Sequence, residues 1–166
     1  MLQWNDDSHF NIDSHPLTSV SKKDSTFTVT NGEYQGNASW SGSVWTLMNE
    51  TAIRGLIDSG EDALAAELAL KTLKTFSKNC AEFVNPFDGK GHGVIEYAWS
   101  ASQYIELIVE VIFGISYDAK ADTVTVTPHL TEELRKEKLS IEGLELADGK
   151  ILDVVIDKSI IELKKR

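Results

Sequence analysis

Cysteine and arginine are both scarce in this chain. The 166 residues include one cysteine, Cys80, so no disulfide can form within the chain and nothing in the cysteine content indicates an oxidising compartment. The three arginines, Arg54, Arg135 and Arg166, leave few candidates for the bidentate clamps that bind phosphate or carboxylate groups. No apolar run approaches the ~20 residues that span a bilayer. We therefore expect a cytoplasmic protein that has no membrane partner.

Basic residues are outnumbered by acidic ones. The chain has 16 Lys and Arg against 26 Asp and Glu, which gives a net charge of −10. Proteins that bind the nucleic-acid backbone need a basic patch, so we expect no nucleic-acid partner. A neutral polar ligand such as a sugar stays compatible with this charge. The length suits one domain, or one domain with a small appendage.

The first forty residues lack any sustained hydrophobic period. They are rich in Ser, Asp, Asn, Thr and Gly, which favours a long loop or short strands around residues 26–30. Loops of this length inside a compact domain are usually functional or a sign that part of the fold is missing. We expect this segment to cover little of the core.

Helical periodicity begins at residue 43. Residues 43–59 and 61–78 carry apolar side chains at helical spacing, and the break at residues 59–60 predicts an αα-hairpin. A third helix is predicted from Ser100, where Ser100 and Gln103 have the spacing of a capping box, to Gly114. This helix is apolar almost all round, so it needs neighbours on most sides.

Beyond Gly114 the hydrophobic period changes from helical to alternating. Residues 115–166 predict two antiparallel hairpins and a possible last strand, with one short helix or turn between them. The expected fold is mainly α, with helices over residues 1–114 and a small antiparallel β appendage over residues 115–166. Three helices do not enclose each other fully, so the chain is either one piece of a larger helical body or a homo-oligomer formed through apolar helix faces.

Four motifs occur in a fixed order along the chain: PLTSVSKKDSTF (16–27), YQGNASWSGSVW (34–45), EFVNPFDGKGHG (82–93) and YAWSASQYIELI (97–108). Together they resemble the C-terminal half of the inverting (α/α)6-barrel glycosidases. This group includes processing α-glucosidases, trehalases, mannosylglycerate hydrolases and glycogen-debranching or amylo-α-1,6-glucosidase-like proteins. The resemblance covers about residues 16–130 and implies a partial (α/α)6 toroid, carbohydrate metabolism and an oligosaccharide or α-glucoside substrate. Ser41 and Ser43 stand where the family has arginine and proline.

Glu82 matches the catalytic base of these glycosidases. Inverting hydrolysis needs a carboxylate that activates water on one face of the sugar and a carboxylic acid that protonates the leaving oxygen on the other. A glutamate followed by a loop with Pro86 and the glycines 89, 91 and 93 suits this role, because glycine lets the backbone approach a ligand closely. The alternative is a surface carboxylate at the end of a helix.

The general acid has no candidate in this sequence. In the glycosidases that the motifs resemble it is an aspartate well upstream of the segment that matches residue 16. We therefore expect a C-terminal portion of a glycosidase, inactive as an isolated chain, whose acid comes from a missing N-terminal region or another polypeptide. The alternative is a non-catalytic carbohydrate-binding or subunit-interface module of the same fold.

Aromatic and polar residues near Glu82 are further candidates. Trp40, Trp45 and Trp99 can stack on sugar rings, although packing is an alternative for Trp45 and Trp99. His92 can contact substrate. Asn49 faces either the pocket or solvent. No cofactor is expected, and no metal, because no second ligand lies at a suitable spacing from His92.

Overall fold

The computed structural model describes residues 6–29, 40–78 and 80–166. Residues 34–39 of the second motif lie outside the described residues. Within them the helices are α1 (Asp7–Phe10), α2 (Thr46–Asp58), α3 (Asp62–Phe76) and α4 (Ala98–Glu106), and the strands are β1 (Phe83–Val84), β2 (Gly91–His92), β3 (Ile115–Asp118), β4 (Thr123–Val126), β5 (Lys138–Glu145), β6 (Ile151–Asp157) and β7 (Ile160–Lys165).

Helices α2 and α3 form the predicted αα-hairpin. Gly60 ends the first helix with φ +77°, a left-handed conformation that glycine adopts without a Cβ penalty. Each helix turns one apolar face inward, where Ile53 and Leu68 are fully buried. Burial of these faces, rather than intrinsic propensity, supplies most of the stability of helices this short.

Helix α4 begins two residues before the predicted start. Its N-cap is Tyr97, whose side chain makes no capping bond. Ser100 and Gln103 therefore do not form a capping box; both are buried inside the helix, and Thr46 donates its hydroxyl to the Gln103 Oε1 at 2.6 Å. The helix continues as a π-helical segment, Leu107–Ile112, and Gly114 follows it with φ +62°.

The strands form separate antiparallel sheets. β3 pairs with β4, and β5, β6 and β7 form a three-stranded sheet in that order, which confirms helices followed by small antiparallel sheets. Gly143 adopts φ +74° at a bulge in β5. The inward side chains of β6 belong to the same hydrophobic core as helices α2 and α3, so the sheet is packed against the helices and not merely appended.

The N-terminal segment covers more of the core than the sequence predicts. Ile12 and Leu17 are buried in the main hydrophobic core. Asn49 of α2 holds this segment: it is fully buried, its Oδ1 accepts from the Leu17 amide at 2.7 Å, and its Nδ2 donates to the Pro16 carbonyl at 2.6 Å. The prediction that Asn49 faces a pocket or solvent is therefore wrong.

Four short segments pair side by side in an antiparallel layer. Thr18 pairs antiparallel with Val44, and Val44 pairs with Val84 through two backbone hydrogen bonds of 2.9 Å. Since Val84 belongs to β1 and β1 pairs with β2, the order is residues 17–19, residues 43–45, β1, β2. This four-segment layer carries Glu82 at its edge.

Candidate active site

Glu82, which directly precedes β1, is held by Gly93 and Val94, which directly follow β2. Its backbone amide donates to the Val94 carbonyl at 2.8 Å, and its side-chain Oε2 accepts from the Val94 amide at 3.0 Å. Gly93 lies beneath the carboxylate with φ +72°, and a Cβ there would lie 2.5 Å from the Glu82 Oε2. The other carboxylate oxygen, Oε1, has no hydrogen-bond partner among the described residues, so it is free to accept from water.

Aromatic rings stack across the four-segment layer. The antiparallel register places Trp45 opposite Phe83 and Phe83 opposite His92. The ring centroids lie 5.0 Å apart for Trp45 and Phe83 and 6.1 Å apart for Phe83 and His92, near the spacing of neighbouring strands. Trp40 stacks on Trp45 at 3.9 Å with an interplanar angle of 8°. These four rings form one continuous aromatic column.

A recess of about 50 Å³ lies beside the Glu82 carboxylate. We call it the Glu82 recess; its lining consists of Trp40, Trp45, Thr46, Leu47, Glu82, Tyr97, Trp99 and Gln103. Trp40 and Trp99 are exposed at its rim, whereas Trp45 is buried at its base. Drug-sized ligands occupy pockets of roughly 300 Å³ or more, so the recess has room for a water molecule but not for a sugar ring.

The recess combines predicted and unpredicted residues. Glu82, Trp40, Trp45 and Trp99 come from three separate motifs, and the fold brings all four together. His92 lies on the far side of Phe83 from Trp45 and does not line the recess; its Nε2 is buried without a hydrogen-bond partner among the described residues.

Sequence reasoning missed four lining residues. Thr46 and Gln103 form a buried polar pair at the base of the recess, and Leu47 and Tyr97 complete the wall. The only sequence signal was that each lies within a few residues of a quoted tryptophan. The spacing of Ser100 and Gln103 pointed instead to a helix cap.

Two larger grooves lie elsewhere on the surface. One, of about 490 Å³, includes Arg54, whose guanidinium is already bonded to Glu50, Glu106 and Glu110 at 2.7–2.9 Å. The other, of about 600 Å³, includes His129, which pairs with Asp62 at 3.1 Å. Arg54 and His129 thus each contact carboxylates of the chain, and neither groove is lined by a tryptophan.

Among the described residues, no group of three or more His, Cys, Asp or Glu side chains converges as a metal site. None of the helices in the described ranges has both the length and the apolar character needed to cross a bilayer.

The family is shown by residues 1–100, which match the family model of the mannosylglycerate hydrolase MGH1-like glycoside hydrolase domain. That match spans more than half of the chain, so the chain carries a glycoside hydrolase domain of this family, at least in part. It belongs to the MGH1-like family, which confirms the coarser expectation of an (α/α)6-superfamily glycosidase. The family model names a mannosylglycerate hydrolase and not a glycogen-debranching protein.

Solved structures of the same kind were also matched. A GH63 mannosylglycerate hydrolase from Thermus thermophilus, in complex with glucose, aligns at 27% identity and TM-score 0.47 over 63% of this chain and 23% of that one. An uncharacterized conserved protein from the same organism aligns at 26% identity and TM-score 0.45 over 63% and 24%. The chain thus spans about a quarter of the length of these structures. No curated protein matched.

Proposed function

We propose that this chain is a C-terminal portion of an inverting glycosidase and supplies the general base, Glu82, of its active site. The observation that carries the proposal is the convergence of Glu82 with Trp40, Trp45 and Trp99 around one recess. In this assignment the described helices are part of an (α/α)6 toroid. The substrate is an α-glycoside, either an α-glucoside or the mannosylglycerate that the family name indicates.

The geometry of Glu82 suits activation of water. The Val94 amide fixes Oε2 at 3.0 Å, which leaves Oε1 to accept a proton from a water molecule in the recess. The recess is too small for a sugar ring, so the sugar lies over its mouth between the exposed rings of Trp40 and Trp99. Attack by that water on the anomeric carbon from the face opposite the leaving group gives inversion.

In this proposal a further polypeptide segment supplies the general acid. Glu82 is the one carboxylate among the described residues that line the recess. An inverting site needs a second carboxyl group ~6.5–9.5 Å from the first, on the other side of the glycosidic bond. We assign it to a further polypeptide segment that covers the open side of the recess, next to Trp99.

Turnover tests this function. The isolated chain should hydrolyse neither mannosylglycerate nor an aryl α-glucoside. When the upstream helical part of an MGH1-like domain is added as a second polypeptide, we expect turnover. NMR of the product should show inversion of configuration at the anomeric carbon. Glu82→Gln should lower that turnover by roughly 10²–10⁴-fold, the range of a lost general base.

The matched control is Glu142→Gln, an exposed glutamate on β5. It should leave turnover unchanged. Equal turnover by Glu82→Gln and the unmodified chain would contradict the assignment of Glu82 as the base.

A carbohydrate-binding module without catalysis is the second candidate. It is favoured by the single carboxylate of the recess and by Ser41, which stands where the resembling glycosidases have arginine. Calorimetry on the isolated chain separates the two functions. Binding of malto-oligosaccharides or trehalose that Trp99→Ala abolishes, with no turnover after complementation, would support the module instead.

A further inference from the structure

Strand β7 has one edge that is unused within the described residues. The sheet order is β5, β6, β7, and no other described strand pairs with the outer side of β7. Every residue of β7 is exposed, including Ile161 and Leu163. These two lie opposite Ile156 and Val154, the inward-facing core residues of β6. The core face of the sheet therefore runs on past the helices onto β7, where nothing described covers it.

The hydrogen-bond pattern of β6 and β7 shows which groups face outward. Arg166 and Ile151 exchange two backbone bonds of 2.8 and 2.9 Å, so they form a hydrogen-bonded pair. In an antiparallel ladder such pairs alternate with non-bonded pairs. The paired positions on β7 are therefore residues 160, 162, 164 and 166. The amides and carbonyls of Ile161, Leu163 and Lys165 point away from β6, toward the free edge.

Charge then selects how this edge pairs with itself. When two copies of β7 pair antiparallel about a two-fold axis, the outward-facing residues of one copy must lie opposite outward-facing residues of the other. A register centred on Glu162 opposes two glutamates, and one centred on Lys164 opposes two lysines, both of which are unfavourable. The register centred on Leu163 places Glu162 opposite Lys164 of the partner subunit twice, by symmetry. Neither residue has a salt-bridge partner within 4.0 Å among the described residues of its own chain, and Lys164 lies opposite Asp153 of β6.

We propose that β7 is a self-complementary docking edge through which two copies of this chain pair antiparallel, with Leu163 on the two-fold axis. Leu163 meets Leu163 on the core side and Ile161 flanks it, so the exposed apolar side chains are covered. The backbone groups of residues 161, 163 and 165 complete a six-stranded sheet. This proposal is independent of the proposed function. One strand pair buries less than the ~1,200 Å² of a standard interface, so the dimer depends on concentration.

Sedimentation equilibrium of the full chain over a concentration series tests the proposal. We expect a reversible dimer. Glu162→Lys and Lys164→Glu should each weaken it by about tenfold, because each turns both cross-strand pairs into like charges. The double variant, Glu162→Lys with Lys164→Glu, should restore the original affinity. The two single variants change net charge in opposite directions, so a loss in both excludes a bulk charge effect.

Leu163→Pro gives a second, independent arm. It removes an outward amide that makes no bond to β6, so the ladder with β6 stays intact while pairing across the edge is blocked. We expect a monomer with an unchanged circular dichroism spectrum. A wild-type chain that stays monomeric at every concentration would overturn the proposal. The proposal would also be overturned if dimer affinity did not respond to Glu162→Lys or Lys164→Glu. It would equally be overturned if substitutions on α4 abolished the dimer and substitutions on β7 did not.

Discussion

At the scale of single residues, Gly93 fixes the orientation of Glu82. The backbone of Gly93 has φ +72°, and a Cβ at this position would lie 2.5 Å from the Glu82 Oε2 and 2.7 Å from the Phe83 ring. Both distances are shorter than real Cβ contacts. The carboxylate can therefore lie flat over the turn and accept from the Val94 amide only because residue 93 lacks a side chain.

We predict that Gly93→Ala destabilises the chain more than Gly149→Ala. Gly149 has a similar φ, +81°, but a Cβ there would meet nothing within 4 Å. Gly149→Ala, the control, should therefore lower the free energy of unfolding only by the cost of a left-handed alanine, about 1–2 kcal/mol. Gly93→Ala adds overpacking against Glu82 and Phe83, typically about 1–3 kcal/mol more. Urea unfolding of both variants measures the difference.

Equal losses in the two glycine variants would contradict this account of the turn. A Glu82→Ala background sharpens the test, since it removes the carboxylate and keeps the Cβ of residue 82. In that background the extra loss at Gly93 should shrink, and the remainder reports the contacts with the Phe83 ring and with the Cβ of residue 82.

At the scale of elements, the sequence predicted the helices and strands whose apolar residues recur with a regular period. Helices α2 and α3 and the hairpins of residues 115–166 lie within a few residues of their predicted bounds, because each repeats its apolar period several times. The four-segment layer was missed because each segment contributes only one or two paired residues, too few for any period. The π-helical turn after α4 likewise leaves no signal in composition.

Four of the eight residues that line the recess were candidates from the sequence, but their arrangement was not predictable. Glu82 and the three tryptophans were found through motifs that resemble known glycosidases. Their contact depends on strand register: Trp45 reaches Phe83 because Val44 pairs with Val84, residues 40 positions apart in sequence. Gln103 was misassigned because its partner, Thr46, lies on another helix. The spacing of residues along the sequence carries no information about long-range packing of this kind.

The N-terminal segment is tied to α3 and to the glycine-rich loop by His15. Its Nδ1 lies 3.3 Å from the Thr75 hydroxyl, and its ring covers Gly89, where a Cβ would lie 2.7 Å from it. Burial lowers the pKa of His15 below its ordinary value; Lys78 acts in the same direction and Asp88 opposes them. The folded chain thus favours the neutral imidazole.

We predict that stability falls as pH decreases below about 6.5, because the unfolded chain then binds a proton at His15 before the folded chain does. The loss should develop between this ordinary pKa and the lower folded value. Thermal unfolding at pH 8, 7 and 5.5 measures it. His15→Asn should reduce the drop between pH 7 and 5.5. The stability difference between pH 8 and 7 should be the same in His15→Asn as in the unmodified chain. If the stability loss between pH 7 and 5.5 were also the same, the assignment to His15 would be contradicted.

At the scale of the whole molecule, one core joins the helices to the sheet, while the outer face of α4 stays open. The exposed residues of this helix are Ala98, Trp99, Ser102 and Ile105, which helical spacing places on one face. This face begins at the rim of the Glu82 recess and is apolar apart from Ser102. Because this face is continuous with the recess, we propose that one polypeptide segment both covers α4 and supplies the acid.

We predict that Ile105→Lys lowers dye binding by the isolated chain and weakens its complementation by the upstream helical polypeptide. Ile105 is 61% exposed, and Ile160 of β7, at 60%, is a control of the same residue type and exposure. Ile160→Lys should leave complementation unchanged, because it lies on the sheet and away from the recess. Fluorescence of a hydrophobic dye and the turnover assay measure the two effects, and thermal unfolding verifies that both variants stay folded. If both substitutions reduced complementation equally, the face of α4 would have no special role in closing the active site.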